Sequence, residues 1–182
     1  WQEISDSSLF YTHSSIHPSS IHGIAPFGLS HENYHGHVFW DCETFMYPGV
    51  LMTAPAAARA SMEYRFECLP RARHNAKLHG FRGVQFPWQS GNSGAEVTSY
   101  YCGAREYHIN PAVACAMGQF AHATGDQLFI REKAWPVLKG VARWIESFVV
   151  RTDRGYETQH FGSPNERFHD INNDVQMHLF MK

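Results

Sequence analysis

The chain has 182 residues, 43% of them hydrophobic, which predicts one globular domain with a packed core. Its 15 basic and 17 acidic residues give a net charge of -2, which excludes the strongly basic surface that nucleic acids and anionic membranes attract. The sequence contains neither a run of about 18 apolar residues that could cross a bilayer nor a targeting signal. We therefore expect a soluble protein without a nucleic-acid or membrane partner, and the compartment stays open.

Cysteine spacing and aromatic content further limit the kinds of site that the sequence supports. Cys42, Cys68, Cys102 and Cys115 form no Cys-x-x-Cys pair, which argues against a redox motif or zinc knuckle and favours free thiols. Aromatic residues make up 14% of the chain, and many stand beside Gly, His, Asn or Asp. This mixture is typical of sugar sites, where rings cover the apolar faces of pyranoses and polar groups bind the hydroxyls.

The predicted elements are helices joined by long loops. Apolar residues at helical spacing, prolines in first turns (Pro55, Pro111) and glycines after last turns (Gly80, Gly125) locate most of the helices. In chain order the predicted helices are one within Trp1–His22 that breaks at Pro18, then Asp41–Leu51, Ala56–Leu78, Asn110–Thr124, Gln127–Val149 and a short one from Asn172 or Asn173. The pattern predicts an all-α fold with helices layered around one axis.

Long loops inside a compact domain are usually functional, so we expect the site where three of them gather. These loops are Asn33–Asp41, Phe81–Glu106 and Phe161–Asn173.

The first loop places Trp40 next to Asp41. A carboxylate accepts hydrogen bonds from sugar hydroxyls while an indole covers the apolar face, so the pair is a candidate sugar-binding element. The alternative is a core tryptophan followed by a helix N-cap. His35 and His37 lack a third ligand nearby, so no metal site is expected.

The second loop offers Trp88 and Gln89, which could line the same cavity, and Glu96 as a further carboxylate. The alternative is that Trp88 fills a core position and Glu96 is exposed to solvent. A Gly-x-Ser-x-Gly elbow and a phosphate-binding glycine loop are both absent from the sequence, which leaves serine hydrolase and nucleotide-binding functions unsupported.

The third loop sets Glu166 after a Ser-Pro-Asn turn and beside Arg167 and His169. With little aliphatic sequence around it, Glu166 is a candidate proton donor. The alternative is a solvated turn whose polar residues satisfy local backbone geometry.

The sequence contains an ordered series of motifs, namely Gly36-His37-Val38-Phe39-Trp40-Asp41, Tyr64-Arg65, Gly83-Val84-Gln85-Phe86-Pro87-Trp88, His108-Ile109-Asn110, Thr124-Gly125-Asp126, Ser163-Pro164-Asn165-Glu166-Arg167-Phe168-His169 and Asn172-Asn173. The series covers nearly the whole chain, and its order is more specific than any single motif. It resembles glycoside hydrolase family 65, which contains both phosphorylases and hydrolases of α-glucosides.

The resemblance implies an (α/α)6 barrel that acts on α-glucosides with inversion, residues 1–182 being part of one catalytic barrel domain. By their places in the motifs, Glu166 matches the general acid, Trp40 and Asp41 match the pair that holds the glucose, and Trp88 matches a ring of the same subsite. The resemblance implies no cofactor.

The chain departs from the family pattern near the expected acid. Asn165 replaces the usual Asp, Arg167 replaces the usual Tyr, and Gln89 stands where Glu commonly follows Pro-Trp. Losing a negative neighbour and gaining a positive one favours ionised Glu166, whereas a proton donor needs the neutral form.

The longer second loop resembles that of the hydrolases, so we expect release of glucose from a disaccharide such as glucosylgalactosyl-hydroxylysine or trehalose. By the family pattern the general base lies beyond Lys182. A phosphorylase of the same fold and a non-catalytic carbohydrate-binding barrel remain as alternatives.

Overall fold

The computed structural model describes residues 1–98 and 103–182, and within them helices dominate. The second predicted loop is thus described except for residues 99–102, and Cys102 lies outside the described part. The helices are α1 (Gln2–Ser14), α2 (Tyr47–Thr53), α3 (Pro55–Glu67), α4 (Leu69–Leu78), α5 (Ile109–Thr124), α6 (Gln127–Phe129), α7 (Trp135–Phe148) and α8 (Val175–Met181). Strands β1 (Val150–Thr152) and β2 (Gly155–Glu157) form an antiparallel hairpin that the sequence did not predict.

The prediction of one continuous helix over residues 56–78 is wrong, because the chain breaks within this range. The chain forms α3 and α4 instead, with the break at Cys68 and Pro70 in the first turn of α4. Proline lacks a backbone N–H and its ring collides with the carbonyl four residues back, so it is tolerated only in a first turn.

Two further prolines follow wide π turns. The turn Cys42–Met46 precedes Pro48 and the turn Ile130–Ala134 precedes Pro136. In each case the residue before the proline donates its N–H to a carbonyl five residues back, Tyr47 to Cys42 and Trp135 to Ile130. The wider turn removes the clash that proline would make in a regular helix, so the predicted helices Asp41–Leu51 and Gln127–Val149 continue through a local adjustment.

Helix α5 lies at the centre of the packing and contacts α3, α7 and α8. Its buried face includes Val113, Met117 and Phe120, which join the main core cluster. A second cluster, built on Trp144 and Phe161, packs α7 against the start of the third loop. The core therefore fixes the base of that loop directly.

Helix α1 buries none of its side chains, and Ile4 and Phe10 are 62% and 66% exposed. Its apolar residues are therefore not part of the core, although the sequence pattern correctly predicts the helix. Among the described residues, no helix combines the length and apolarity that a membrane span requires. Cys42, Cys68 and Cys115 are free thiols.

Glycine is required where the second loop meets α7. Gly83 has φ +70°, and a Cβ there would lie 2.1 Å from the Gly140 carbonyl oxygen. Gly80 has a similar φ of +78° with open space around it. We expect Gly80→Ala to cost about 1–2 kcal/mol from the left-handed backbone alone, and Gly83→Ala to cost about 1–3 kcal/mol more from overlap. Urea unfolding of both variants measures the difference, and equal losses would mean that close packing at Gly83 contributes nothing.

Candidate active site

The first and second loops are joined by backbone pairing. Val38 and Ser90 exchange two backbone hydrogen bonds, with N–O distances of 3.0 and 2.9 Å. The Gln89 Nε2 atom lies 2.7 Å from His37 Nδ1, and the rings of Phe39 and Trp88 meet edge to face at 5.1 Å. The motifs around Trp40 and Trp88, distant in sequence, are thus brought into one region.

A buried ion pair anchors this region to α3. Arg65 and Glu43 are nearly inaccessible to solvent, and the guanidinium donates to both carboxylate oxygens at 2.7 and 2.9 Å. Arg65 also donates to Ser90 Oγ at 3.0 Å and to the Phe39 carbonyl at 3.4 Å. Burial alone would lower the pKa of Arg65, but the charge and hydrogen bonds of Glu43 outweigh it and raise that pKa. One side chain therefore holds both loops.

Two side chains, those of Asn110 and Glu96, hold the segment that carries Trp88. Asn110, in the first turn of α5, accepts from Phe86 N at 3.0 Å and donates to the Val84 carbonyl at 2.9 Å. Glu96 accepts backbone N–H groups of Trp88, Gln89 and Thr98 at 2.8, 3.2 and 3.2 Å. Glu96 is neither a solvent-exposed carboxylate nor a free one, and its role is to position Trp88 and Gln89.

Trp40 is 9% exposed and packs against His108, with ring centroids 4.5 Å apart. The structure therefore confirms that Trp40 occupies a core position. The N-cap alternative for Asp41 is wrong, because its side chain makes no capping hydrogen bond and its backbone is already helical. Burial raises the pKa of the Asp41 carboxyl group. Its carboxylate therefore has no structural duty at the helix start and stays a candidate for binding a ligand.

The third loop leaves the core at Phe161, which pairs with Ile171 through two backbone hydrogen bonds. Arg105 ties this loop to the end of the second loop by donating to the His160 carbonyl, while Gly162 N donates to the Arg105 carbonyl at 3.0 Å. The third loop is therefore fixed against the segment that leads into α5.

Glu166 lies at the exposed tip of that loop with φ +61°, a left-handed conformation that non-glycine residues rarely adopt. Its backbone N–H donates to the Ser163 carbonyl at 2.9 Å. Among the described ion pairs, none joins Glu166 to Arg167. The same left-handed backbone occurs at Tyr34, His35, His160 and Asn173, so the role of Glu166 as a proton donor stays a prediction.

The structure adds two buried polar side chains that were not predicted as site residues, Glu106 and His108. Glu106 is 1% exposed and His108 is fully buried, and all four of their side-chain polar atoms lack a hydrogen-bond partner. Burial, together with the charge of Glu166, raises the pKa of Glu106 to about 8. Burial lowers the pKa of His108 to about 3. At neutral pH both side chains are therefore uncharged. A charged residue at the end of a loop is usually exposed, and nothing in the sequence marks Glu106 as buried.

Two cavities bear on the position of the site. A cavity of about 810 Å³ is lined by residues such as Arg82, Ile145 and Tyr156 and by none of the predicted site residues. A cavity of about 450 Å³ is lined by Asn165, Phe168 and other residues of the third loop and α8. This second cavity lies on the loop that carries Glu166, although Glu166 is not among its lining residues. Within the described part of the chain, no group of three or more potential ligands is arranged to hold a metal ion.

The fold defines the class of protein. A solved structure described as a putative kojibiose phosphorylase from human microbiome superimposes with a TM-score of 0.88 at 21% identity, covering 95% of this chain and 26% of that one. The chain is a part of an (α/α)6 barrel, as predicted. Residues 7–182 match the central catalytic domain of glycosyl hydrolase family 65. The chain belongs to that family, which confirms the resemblance.

Relatives in the family are named both hydrolases and phosphorylases. A kojibiose hydrolase of Flavobacterium johnsoniae is 39% identical, covering 93% of this chain and 25% of the relative. A protein-glucosylgalactosylhydroxylysine glucosidase of Gallus gallus is 38% identical, covering 92% and 26%. A kojibiose phosphorylase of Caldanaerobacter subterraneus subsp. tengcongensis is 35% identical, covering 85% and 22%. The chain thus spans about a quarter of the length of these relatives.

Proposed function

We propose that this chain contributes part of the active site of an inverting α-glucoside hydrolase, with Glu166 as the general acid. The observation that carries the proposal is the position of Glu166, on a strained loop tip tied by Arg105 to the segment that holds the buried Glu106. Membership of a family of glycosidases and phosphorylases supports the same chemistry.

In the proposed mechanism Glu166 protonates the glycosidic oxygen as the bond to the anomeric carbon breaks. Trp40 and Trp88 supply rings against the glucosyl unit, Asp41 accepts hydrogen bonds from its hydroxyls, and Gln89, oriented by His37, adds an amide. These roles are supported by the pairing of the two loops that carry the residues.

Inversion requires a second carboxylate about 6.5–9.5 Å from the acid to activate water. Glu96 does not fit this role, because three backbone N–H groups already occupy it. We therefore infer that the base comes from another part of the catalytic domain. Residues 1–182 all belong to one part of that single domain.

The product of the reaction tests the proposal. We expect the full-length protein to release glucose from kojibiose, trehalose or glucosylgalactosyl-hydroxylysine at a rate that does not depend on inorganic phosphate. Anomeric analysis by NMR of the first product should show inversion. Glucose 1-phosphate as the product would overturn hydrolysis in favour of phosphorolysis.

The phosphorylase is kept as the second candidate because a relative named kojibiose phosphorylase covers 85% of the chain at 35% identity. The two candidates share the general acid and differ in the nucleophile, which is water activated by a base in the hydrolase and phosphate in the phosphorylase. A full-length protein that binds glucose but turns over none of these glucosides, with or without phosphate, would instead support a non-catalytic carbohydrate-binding barrel.

A further inference from the structure

The base of the second loop contains a chain of polar side chains that the proposed reaction does not use. Trp144 Nε1 donates to Gln85 Oε1 at 3.2 Å, and Gln85 Nε2 lies 3.3 Å from His79 Nδ1. The Tyr107 hydroxyl lies 3.4 Å from the same imidazole nitrogen. These contacts join α7, the second loop, the end of α4 and the segment that leads into α5.

The donors in this chain determine the protonation state of His79. An indole N–H can only donate, so the Gln85 amide turns its oxygen to Trp144 and its NH2 group to His79. His79 Nδ1 must then accept, and the neutral imidazole carries its proton on Nε2. The Tyr107 hydroxyl approaches the same lone pair. Both distances are at the long end of the hydrogen-bond range, as expected when two donors share one acceptor.

Protonation of His79 reverses the contact with Gln85. Imidazolium carries an N–H on both nitrogens, so Nδ1 would face the Gln85 NH2 group as one donor facing another. The amide cannot turn over without a cost, because the fully buried Trp144 indole N–H would lose its acceptor. The Tyr107 hydroxyl can rotate its own proton away and accept from Nδ1. The protonated ring therefore keeps Tyr107 as a partner and loses Gln85.

The charged groups around His79 do not offset this change. Burial lowers the pKa of His79 from its ordinary value of 6.5, and among the described residues no neighbouring charge contributes to that shift. Lys77 on α4 is exposed, and Arg82 pairs with a carboxylate of α7 at 3.7 Å. On the segment that leads into α5, Glu106 has a pKa of about 8 and His108 has a pKa of about 3. Neither of them changes charge between about pH 5 and pH 7.

We propose that His79 is a proton-controlled link that holds the base of the second loop at neutral pH and releases it as the pH falls. In the neutral form the imidazole accepts from Gln85, which holds the segment that leads to Trp88 against α4 and α7. When a proton binds, an N–H bond forms at Nδ1 while Nε2 keeps its own proton. The imidazolium then donates to Tyr107, and the Gln85 NH2 group loses its acceptor. The inference concerns the stability of the loop and does not depend on the proposed reaction.

The direction of the pH dependence follows from the burial of His79. When the loop base opens locally, the imidazole reaches water and regains its ordinary pKa of 6.5, whereas the closed form has a lower pKa. The open form therefore takes up a proton first as the pH falls. The closed form keeps its full stability above about pH 6.5 and loses stability as the pH falls from there toward the lower pKa.

Hydrogen–deuterium exchange of the full-length protein, followed by mass spectrometry, measures this opening. The reporters are the backbone N–H groups of Val84, Gln85 and Phe86, which donate at 3.2, 2.9 and 3.0 Å to the Gly140 carbonyl, the Ala72 carbonyl and Asn110 Oδ1. From about pH 7 to pH 5, after correction for intrinsic exchange, the opening constant should rise about two- to tenfold more in the wild type than in His79→Asn, the effect of one lost hydrogen bond. Asn does not titrate, and its Oδ1 can accept from Gln85 as Nδ1 does.

An exposed histidine on the same helix provides the control. His74→Asn should retain the wild-type pH dependence of opening. This comparison is needed because burial also raises the pKa of Glu96, which holds Trp88 and Gln89 and titrates in the wild type and the variants alike. An equal pH dependence in the wild type and in His79→Asn would overturn the proposal.

Gln85→Glu tests the same contact in the opposite direction. The carboxylate keeps an acceptor for Trp144 and presents a second oxygen to His79 Nδ1, which favours imidazolium and raises the pKa of His79. The closed form is then more stable below that raised pKa, so opening should increase as the pH rises. Opening that instead increases toward low pH, as in the wild type, would contradict the contact between Gln85 and His79. If Gln85→Glu does not fold, the comparison of the wild type with His79→Asn decides.

Discussion

Replacing Glu166 by Gln will lower kcat by about 10²–10⁴-fold, the usual contribution of a general acid, and leave substrate binding nearly intact. The amide keeps the size of the side chain but has no proton to give to the glycosidic oxygen. Because Glu166 is exposed at a loop tip, the substitution should not change the stability of the fold. Steady-state kinetics of the full-length protein, with binding measured separately by calorimetry, check both parts.

A substrate with a reactive leaving group provides the sharper control for this prediction. Glucosyl fluoride needs little protonation of the leaving group, so Glu166→Gln should retain far more activity on it than on kojibiose or trehalose. Glu146→Gln, which changes an exposed carboxylate in the same way, should behave as wild type on every substrate. Equal losses of activity on the fluoride and on the natural glucosides would show that Glu166 is needed for something other than proton donation.

Most of the helices follow from local sequence. Pro55, Gly80, Pro111 and Gly125 mark helix starts and ends because their backbone restrictions act within a few residues, and the predicted boundaries lie near the observed ones. The helical pattern of the sequence does not predict the break at Cys68, although Pro70 explains it. The hairpin of β1 and β2 is three residues per strand, too short for an alternating pattern to be visible.

Only part of the candidate site can be predicted from the sequence. Trp40, Asp41, Trp88 and Glu166 stand in loops rich in polar and aromatic residues, so composition alone draws attention to them. Glu106 also stands in the second loop, but nothing in the sequence marks it, because its burial depends on how α5 and the second loop pack.

The anchoring role of Arg65 was likewise invisible, since its partner is 22 residues earlier in the chain. Motif spacing can indicate that such residues belong together, but it does not tell which of them touch. Long-range pairing of this kind is a tertiary property.

Replacing Arg65 by Met will destabilise the fold by about 3–5 kcal/mol, the usual cost of breaking a buried ion pair. The substitution leaves Glu43 as an uncompensated charge at 3% exposure and removes the donors to Ser90 and the Phe39 carbonyl. Because those two acceptors lie in the second and first loops, the variant should also loosen the pairing of Val38 with Ser90. Urea unfolding followed by tryptophan fluorescence measures the loss, and weaker glucose binding should accompany it.

The double variant Arg65→Met with Glu43→Leu separates the ion pair from simple packing. Removing both charges leaves no buried charge unpaired, and such replacements are often neutral or stabilising, so the double variant should be more stable than Arg65→Met alone. Arg59→Met is a matched control on the same helix, because Arg59 pairs with Asp126 at a site about one-third exposed, and it should cost about 1 kcal/mol or less. A double variant as unstable as the sum of its single substitutions would mean that Arg65 stabilises the loops through packing and its bonds to Ser90 and Phe39, rather than through its charge.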